Sequence, residues 1–161
     1  MSDEPRIVNV NDLPWTAWSA GPGAEVEIRD PARKLESSLC GLRLYRLAPG
    51  KQATRLHRHL LQEEMFLILK GSGILRHGER EVPVRQGDFI LYRAGDPAPH
   101  TFTNPGPEPL EYLATGNRVS YEVCEYPEEG RVFVEAIGKS FRSEDAIDVA
   151  KQMEEYFKAG R

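Results

Sequence analysis

The chain has 161 residues, enough for one domain with a real core, and its 40% apolar and 29% charged content is ordinary for a soluble globular protein. A net charge of −4 argues against nucleic acid as the main partner, because phosphate binding needs a basic surface. No stretch is long and apolar enough to span a bilayer, and residues 1 to 6, Met-Ser-Asp-Glu-Pro-Arg, carry no basic segment followed by an apolar run, so neither a membrane span nor a signal peptide is expected. The two cysteines, Cys40 and Cys124, form no disulfide framework and fit no zinc spacing; they read as reduced, mostly buried strand residues. Together these features predict a cytoplasmic protein.

Taken in chain order, residues 1 to about 35 read as an irregular extension, with a short strand at Ile7 to Val10. Trp15 and Trp18 are expected to pack as a lid over the outside of the core, with substrate stacking as the alternative. From Leu39 the pattern changes to short apolar runs separated by turn residues, the rhythm of an all-β sandwich or barrel. Strands are predicted at Leu42 to Leu47, Ala53 to His59, and Met65 to Leu69, the last apolar on both faces and therefore central. A hairpin joins Ile74–Arg76 to Arg80–Val84 across a turn that holds His77, which reads as a surface residue. Further strands follow at Phe89 to Tyr92, Thr101 to Thr103, Leu110 to Thr115 and Val119 to Glu125, which completes the set. Over residues 143 to 159 the period becomes helical: Ala146, Ala150, Met153 and Phe157 share a face, Ser143 is the expected cap, and Gly160 follows the end. This helix is expected to pack on the sheet or on a second subunit. The domain organisation is thus an extension over 1–35, a barrel over 36–126, and a C-terminal extension over 127–161.

Three of the four histidines carry the most specific signal. Side chains alternate along a strand, so His57 and His59 share a face and can grip one ion. Glu64 follows at a distance that adds a carboxylate, and His100 lies behind the Gly/Pro-rich loop 95–99. Neutral imidazoles plus a carboxylate suit Fe(II), Mn(II), Ni(II), Co(II) or Zn(II), and four protein ligands around a six-coordinate ion leave two positions open.

These residues carry a resemblance. Gly50-x6-His57-x-His59-x4-Glu64-x6-Gly71 resembles the first motif of the cupin superfamily, and Gly87-Asp88, Gly95 and His100-x3-Asn104 resemble the second. The likeness covers roughly residues 40 to 117, and the flanking text is similar to small bacterial cupins loosely labelled sugar-phosphate-isomerase-like. It implies a double-stranded β-helix barrel, a jelly-roll-like fold, with a divalent transition metal at one mouth, a small-molecule ligand, and often a homodimer. Residue by residue, it places His57, His59, Glu64 and His100 on the metal-ligand positions and Asn104 in a structural role. Glu63, the rival carboxylate, is one place out of register and would point to the other strand face. The chain departs from the motif in a longer gap before His57, in Arg93 where proline is usual, and in a longer approach to His100.

Around these ligands, Arg55 shares strand parity with His57; it either clamps a carboxylate or phosphate at the mouth or is a solvated rim residue. Phe66 shares parity with Glu64 and lines the interior, while Tyr92 and Phe102 wall a pocket or fill the core. The expected function is a metal-dependent enzyme acting on a small oxygenated substrate, by isomerase, lyase or dioxygenase chemistry. The alternative is a non-catalytic small-molecule-binding or sensing cupin. Fold and metal alone do not choose between them.

Overall fold

A computed structural model describes residues 4–159; the predicted helix stop at Gly160, the side chain of Phe157 and the first three residues lie outside the described set. The strands are β1 (Thr16–Gly21), β2 (Ala24–Arg29), β3 (Cys40–Leu47), β4 (Arg58–His59), β5 (Glu64–Lys70), β6 (Ser72–His77), β7 (Arg80–Arg85), β8 (Phe89–Tyr92), β9 (His100–Thr103), β10 (Leu110–Asn117), β11 (Val123–Tyr126), β12 (Arg131–Val134) and β13 (Lys139–Arg142). Two helices join them, the single turn α1 (Pro31–Lys34) and the terminal α2 (Val149–Ala159). The strands form a six-stranded sheet in the order β1-β2-β3-β10-β5-β8, a three-stranded sheet β7-β6-β9, and a four-stranded sheet β13-β12-β11-β4. This is the all-β double-stranded β-helix, with its core between the first two sheets and β5 central as predicted. Among the described residues no helix is long and apolar enough to cross a membrane.

Register explains what faces inward. β10 pairs Leu110 with Leu47, Tyr112 with Tyr45, Ala114 with Arg43 and Gly116 with Gly41. On its other edge Tyr112 pairs with Ile68, Ala114 with Phe66 and Gly116 with Glu64. Side chains alternate, so these residues share the inner face. That face runs from wholly apolar at Leu47, Leu110 and Ile68 to polar at Arg43 and Glu64. The apolar end merges with Phe102, Leu75 and Val84 of the opposite sheet into one buried cluster. Phe102 packs against Phe66 at 5.2 Å and against Tyr112 at 4.7 Å between ring centroids.

Several sequence expectations are corrected. Residues 16–29 form a hairpin, β1 and β2, that extends the main sheet beyond β3, where an irregular segment was expected. The alternation of Ala24, Val26 and Ile28 with Glu25, Glu27 and Arg29 carries it. Ile7 to Asn9 are not strand, and Val10–Asp12 is a 3-10 turn capped by the Asn9 side chain. Trp15 does cover an outer face, between the guanidinium groups of Arg29 and Arg46 at 4.5 and 4.0 Å from its ring. The predicted strand from Ala53 to His59 survives as isolated bridges at Gln52 and His57 and the short β4. Between them the Thr101 hydroxyl donates to the Thr54 carbonyl at 2.8 Å in place of a ladder bond. Val119 to Glu122 are not strand; β11 begins at Val123, and β12 and β13 were missed. Cys40 is exposed, not buried.

The C-terminal helix begins later than predicted. Ser143–Asp145 is a separate 3-10 turn, and Asp148 caps α2 by accepting from the amides of Ala150 at 3.0 Å and Lys151 at 3.3 Å. Asp148 competes successfully because its carboxylate also suits the positive helix start. Val149 and Met153 are exposed, so α2 does not bury this face on the sheet.

Asn104 closes the barrel near the second motif. Its fully buried amide donates to the carbonyls of Leu47 at 2.9 Å and Glu108 at 2.8 Å, and its oxygen accepts from Gly106 at 3.0 Å. Gly71, at φ +79°, closes the first motif where a Cβ would meet the Pro109 carbonyl at 2.6 Å. Replacing Asn104 with alanine strands buried carbonyls and is expected to cost about 2–3 kcal/mol in chemical denaturation; an unchanged midpoint would contradict this structural role.

Candidate metal centre

The sharp turn after β4 brings His57 and His59 toward Glu64 at the start of β5, while β9 supplies His100 from the other sheet. His57 and His100 are bridged antiparallel, with His100 N–H donating to the His57 carbonyl at 2.7 Å. That bridge absorbs the longer loop before His100. The ring centroids of His57 lie 5.0 Å from His59 and 4.9 Å from His100. Glu64 Oε2 sits 3.0 Å from His100 Nε2 and 3.4 Å from His59 Nε2. Donor atoms of His57, His59 and Glu64 all lie within 4.8 Å of one another. Glu63 is outside this group, and its amide is held by Asn117 Oδ1 at 2.8 Å.

The hydrogen bonds orient the donors. His57 Nδ1 is 2.8 Å from the carbonyl of Arg55, which only accepts; Nδ1 therefore carries the proton and Nε2 keeps its lone pair. Burial, followed by the neighbouring His100, holds the pKa of His57 down to about 4, against a smaller opposing pull from Glu64. Burial alone would raise Glu64, but the hydrogen bond from His100 and the charges of His59, His100 and His57 outweigh it and bring it to about 2. The result at neutral pH is an uncharged His57 beside an ionised carboxylate, the protonation states a metal requires. His100 Nδ1 is buried with no hydrogen-bond partner, at a cost of roughly 1–3 kcal/mol, and such orphaned groups concentrate at functional sites.

A second layer was not legible in the sequence. Glu122, almost completely buried, accepts from the amides of Leu60 at 2.9 Å and Leu61 at 3.2 Å, pinning the turn after His59. Cys124 Sγ lies 3.3 Å and Glu122 Oε1 3.8 Å from His59 Nδ1. His59, Glu122 and Cys124 thus form a second cluster of possible metal donors, sharing His59 with the first. Burial, then the charges of Glu122, Glu64 and Glu135, pushes the Cys124 thiol up to about 12. It is a neutral neighbour of His59 at physiological pH, and a proton on Nδ1 directed at this pair leaves Nε2 free for the first cluster. Tyr126 stacks on His57 at 5.9 Å. His77, expected at the surface, is half-buried, and its Nδ1 lies 2.9 Å from the Tyr92 hydroxyl.

The remaining expected residues separate. Tyr92 stacks on His100 at 3.8 Å, and Phe66 meets His100 edge-on at 5.6 Å, so both wall the histidine from below. Phe102 is buried in the core at 1% exposure, packed against Phe66 and Tyr112. Arg55 turns away from the histidines, paired with Glu129 at 2.7 Å in a separate cleft with Gln52 and Leu56. Parity placed it beside His57, but the chain between Gln52 and His57 is not a regular strand. A cavity of about 650 Å³ instead lies against residues of the paired strands β3 and β10 and reaches Glu64 and Gln62. The same two residues border the crevice at His59 and His100.

This barrel and its inward cluster have the arrangement of a cupin domain. Residues 43–116 match the cupin domain model, so the chain carries a cupin domain there. It is 33% identical over 69 residues, 43% of its own length and 54% of the other's, to the oxalate-binding protein of Thermotoga maritima. An uncharacterised protein of Methanocaldococcus jannaschii is 31% identical over 81 residues, covering 50% of this chain and 56% of that one. The chain therefore spans little more than half the length of these curated relatives. Among solved structures, a provisionally named sugar phosphate isomerase of Acidithiobacillus ferrooxidans superposes with a TM-score of 0.81 at 24% identity, covering 86% of this chain and 91% of that one. A sugar phosphate isomerase of Silicibacter pomeroyi gives 0.74 at 24% identity, covering 87% and 94%. At this identity the likeness speaks for the fold.

Two outcomes follow from the geometry. In metal-free protein, His57 resists protonation when folded but not when unfolded, so stability falls as pH drops from 6.5 toward 4. Glu64 adds a further loss as pH falls from 4.5 toward 2. Denaturation midpoints across this range check both, and His57→Gln is expected to flatten the upper part. Separately, Glu122→Ala frees the turn after His59 and is expected to weaken transition-metal affinity by about 10- to 100-fold, read by competition with a chelating dye.

Proposed function

We propose that this cupin is a metal-dependent enzyme acting on a small oxygenated molecule, a sugar derivative or a carboxylate. The observation that carries the reading is the grouping of His57, His59 and Glu64, with His100 hydrogen-bonded to Glu64 at 3.0 Å, beside a cavity of about 650 Å³. That volume suits a small metabolite. The donor set, three imidazoles and one carboxylate, fits a divalent Fe, Mn, Ni, Co or Zn ion. When bound, such an ion supplies Lewis-acid polarisation of substrate oxygens. The chain's own residues do the rest: Arg55 and Cys124 orient the two imidazoles of the first motif, Tyr92 and Phe66 hold the His100 ring, and Glu64 presents one carboxylate edge to the cavity. Isomerisation, lyase chemistry and dioxygenation remain the reaction classes of this proposal.

A second reading is a non-catalytic binding cupin. It is favoured by the Thermotoga relative, whose name is for binding oxalate.

Elemental analysis of purified protein is expected to find a stoichiometric transition metal that His57→Ala loses. A wild type that holds no metal and cannot be reloaded overturns the site. Turnover of sugar phosphates, keto acids or catechols by the loaded protein supports the enzyme; binding without turnover under every metal supports the second reading.

A further inference from the structure

The cavity beside Glu64 is lined by charges of both signs, and their pairing is uneven. Three guanidinium groups line it, from Arg33, Arg43 and Arg118, together with the carboxylates of Asp30, Glu64 and Glu135. Two of these carboxylates are committed. Glu64 is held by His100 and faces His59. Asp30 accepts from Arg43 Nε at 2.8 Å and from the Arg33 amide at 2.8 Å, and its side chain is only 13% exposed. Arg33 and Arg118 have no carboxylate partner within ion-pair distance among the described residues; the Arg118 guanidinium donates to the Ser37 carbonyl, at 3.2 Å. Two guanidinium groups at the cavity are therefore left without an ion-pair partner among the described residues.

The placement is specific. Arg43 lies on the inner face of β3, in register with Ala114 and Phe66, on the same sheet face as Glu64. Asp30 takes its Nε and the Tyr45 hydroxyl also hydrogen-bonds the group, which leaves the remaining terminal N–H groups for a planar or tetrahedral anion. One pair further toward the mouth, Gly41 and Gly116 face each other next to Glu64. At Gly116 a Cβ would collide with the Glu63 carbonyl, and at Gly41 it would come within 3.5 Å of Arg118 Nε. The first requires glycine at 116 for the close approach of the Glu63 backbone; the second is ordinary contact and places the Arg118 guanidinium beside Gly41. β3 and β5 are two strand spacings apart, about 10 Å at the backbone, and both side chains reach into that gap. A molecule of only a few carbons can touch both.

We propose that Arg43 and Arg118, with Arg33 at the rim, form an anion subsite for one end of the ligand, a carboxylate or phosphate group, while its other end presents oxygen at Glu64 and the histidines. The metal-site reading places only that second end; the anion subsite stands on the arginines and the cavity.

Calorimetric titration of malonate, glycerol 3-phosphate and uncharged glycerol tests this, on metal-loaded and on chelator-treated protein. The two anions are expected to bind and glycerol is not, and the tighter of the two identifies the head group. Arg43→Gln and Arg118→Gln are each expected to weaken anion binding about tenfold or more. Arg118→Gln leaves the Asp30 pair intact, so it reports on the subsite even if Arg43→Gln fails to fold. Anion binding equal to wild type in Arg118→Gln, or no binding of either anion to wild type, overturns the proposal. Arginine-dependent binding to protein that retains no metal supports the subsite while removing the metal-enzyme reading. Metal retention without anion binding does the reverse.

Discussion

Glu64 begins the central strand of the barrel on its inner face, where its carboxylate meets His100 at 3.0 Å and His59 at 3.4 Å. A buried carboxylate is expensive unless paired and hydrogen-bonded, and here it is surrounded by imidazoles. That demand organises the site. It draws β9 against the first-motif turn through the His57 and His100 bridge, and it requires the turn itself to be held. Glu122 holds it from behind, through the amides of Leu60 and Leu61. The donors are thus oriented by backbone and buried side chains before any ion arrives, which is the preorganisation that a metal centre needs.

Polarity along the barrel follows from the same strands. At one end Leu47, Leu110 and Ile68 close the core almost without solvent. At the other, the inner-face positions on the same three strands become Arg43 and Gly41, Gly116, and Glu64. One sheet therefore supplies both the hydrophobic seal and the open mouth. The aromatic layer of Phe66, Tyr92 and Tyr112 lies between, so the histidines rest on an apolar floor that pushes the pKa of His57 down and keeps water from beneath it.

Much of this was legible in one dimension. Period-two patterning and turn residues located seven of the strands to within a few positions, from Leu42–Leu47 to Leu110–Thr115. The parts that were missed share a cause. The β1 and β2 hairpin sits in a stretch dense with Trp, Gly and Pro, where turn signals masked the alternation of Ala24, Val26 and Ile28. The segment from Ala53 to Leu56 has strand-like composition, yet the Thr101 hydroxyl takes over its backbone pairing. The true cap of the last helix, Asp148, follows Ala146 in a segment whose apolar spacing already looked helical. In each case a local pattern competed with a contact made elsewhere.

The sequence by itself singled out the candidate donors: His57 and His59 by strand alternation, and Glu64, rather than Glu63, and His100 by the resemblance of their spacing to the two motifs. These depend on strand periodicity, which is local. Which charged groups surround them was decided only in three dimensions. Arg55 is drawn outward by Glu129, 74 positions away, whereas Arg43 is turned into the cavity and anchored by Asp30. Glu122 and Cys124 reach His59 across more than 60 residues. Such pairings are set by sheet order and by the cost of leaving buried charge unpaired, neither of which is written in the spacing of residues along the chain.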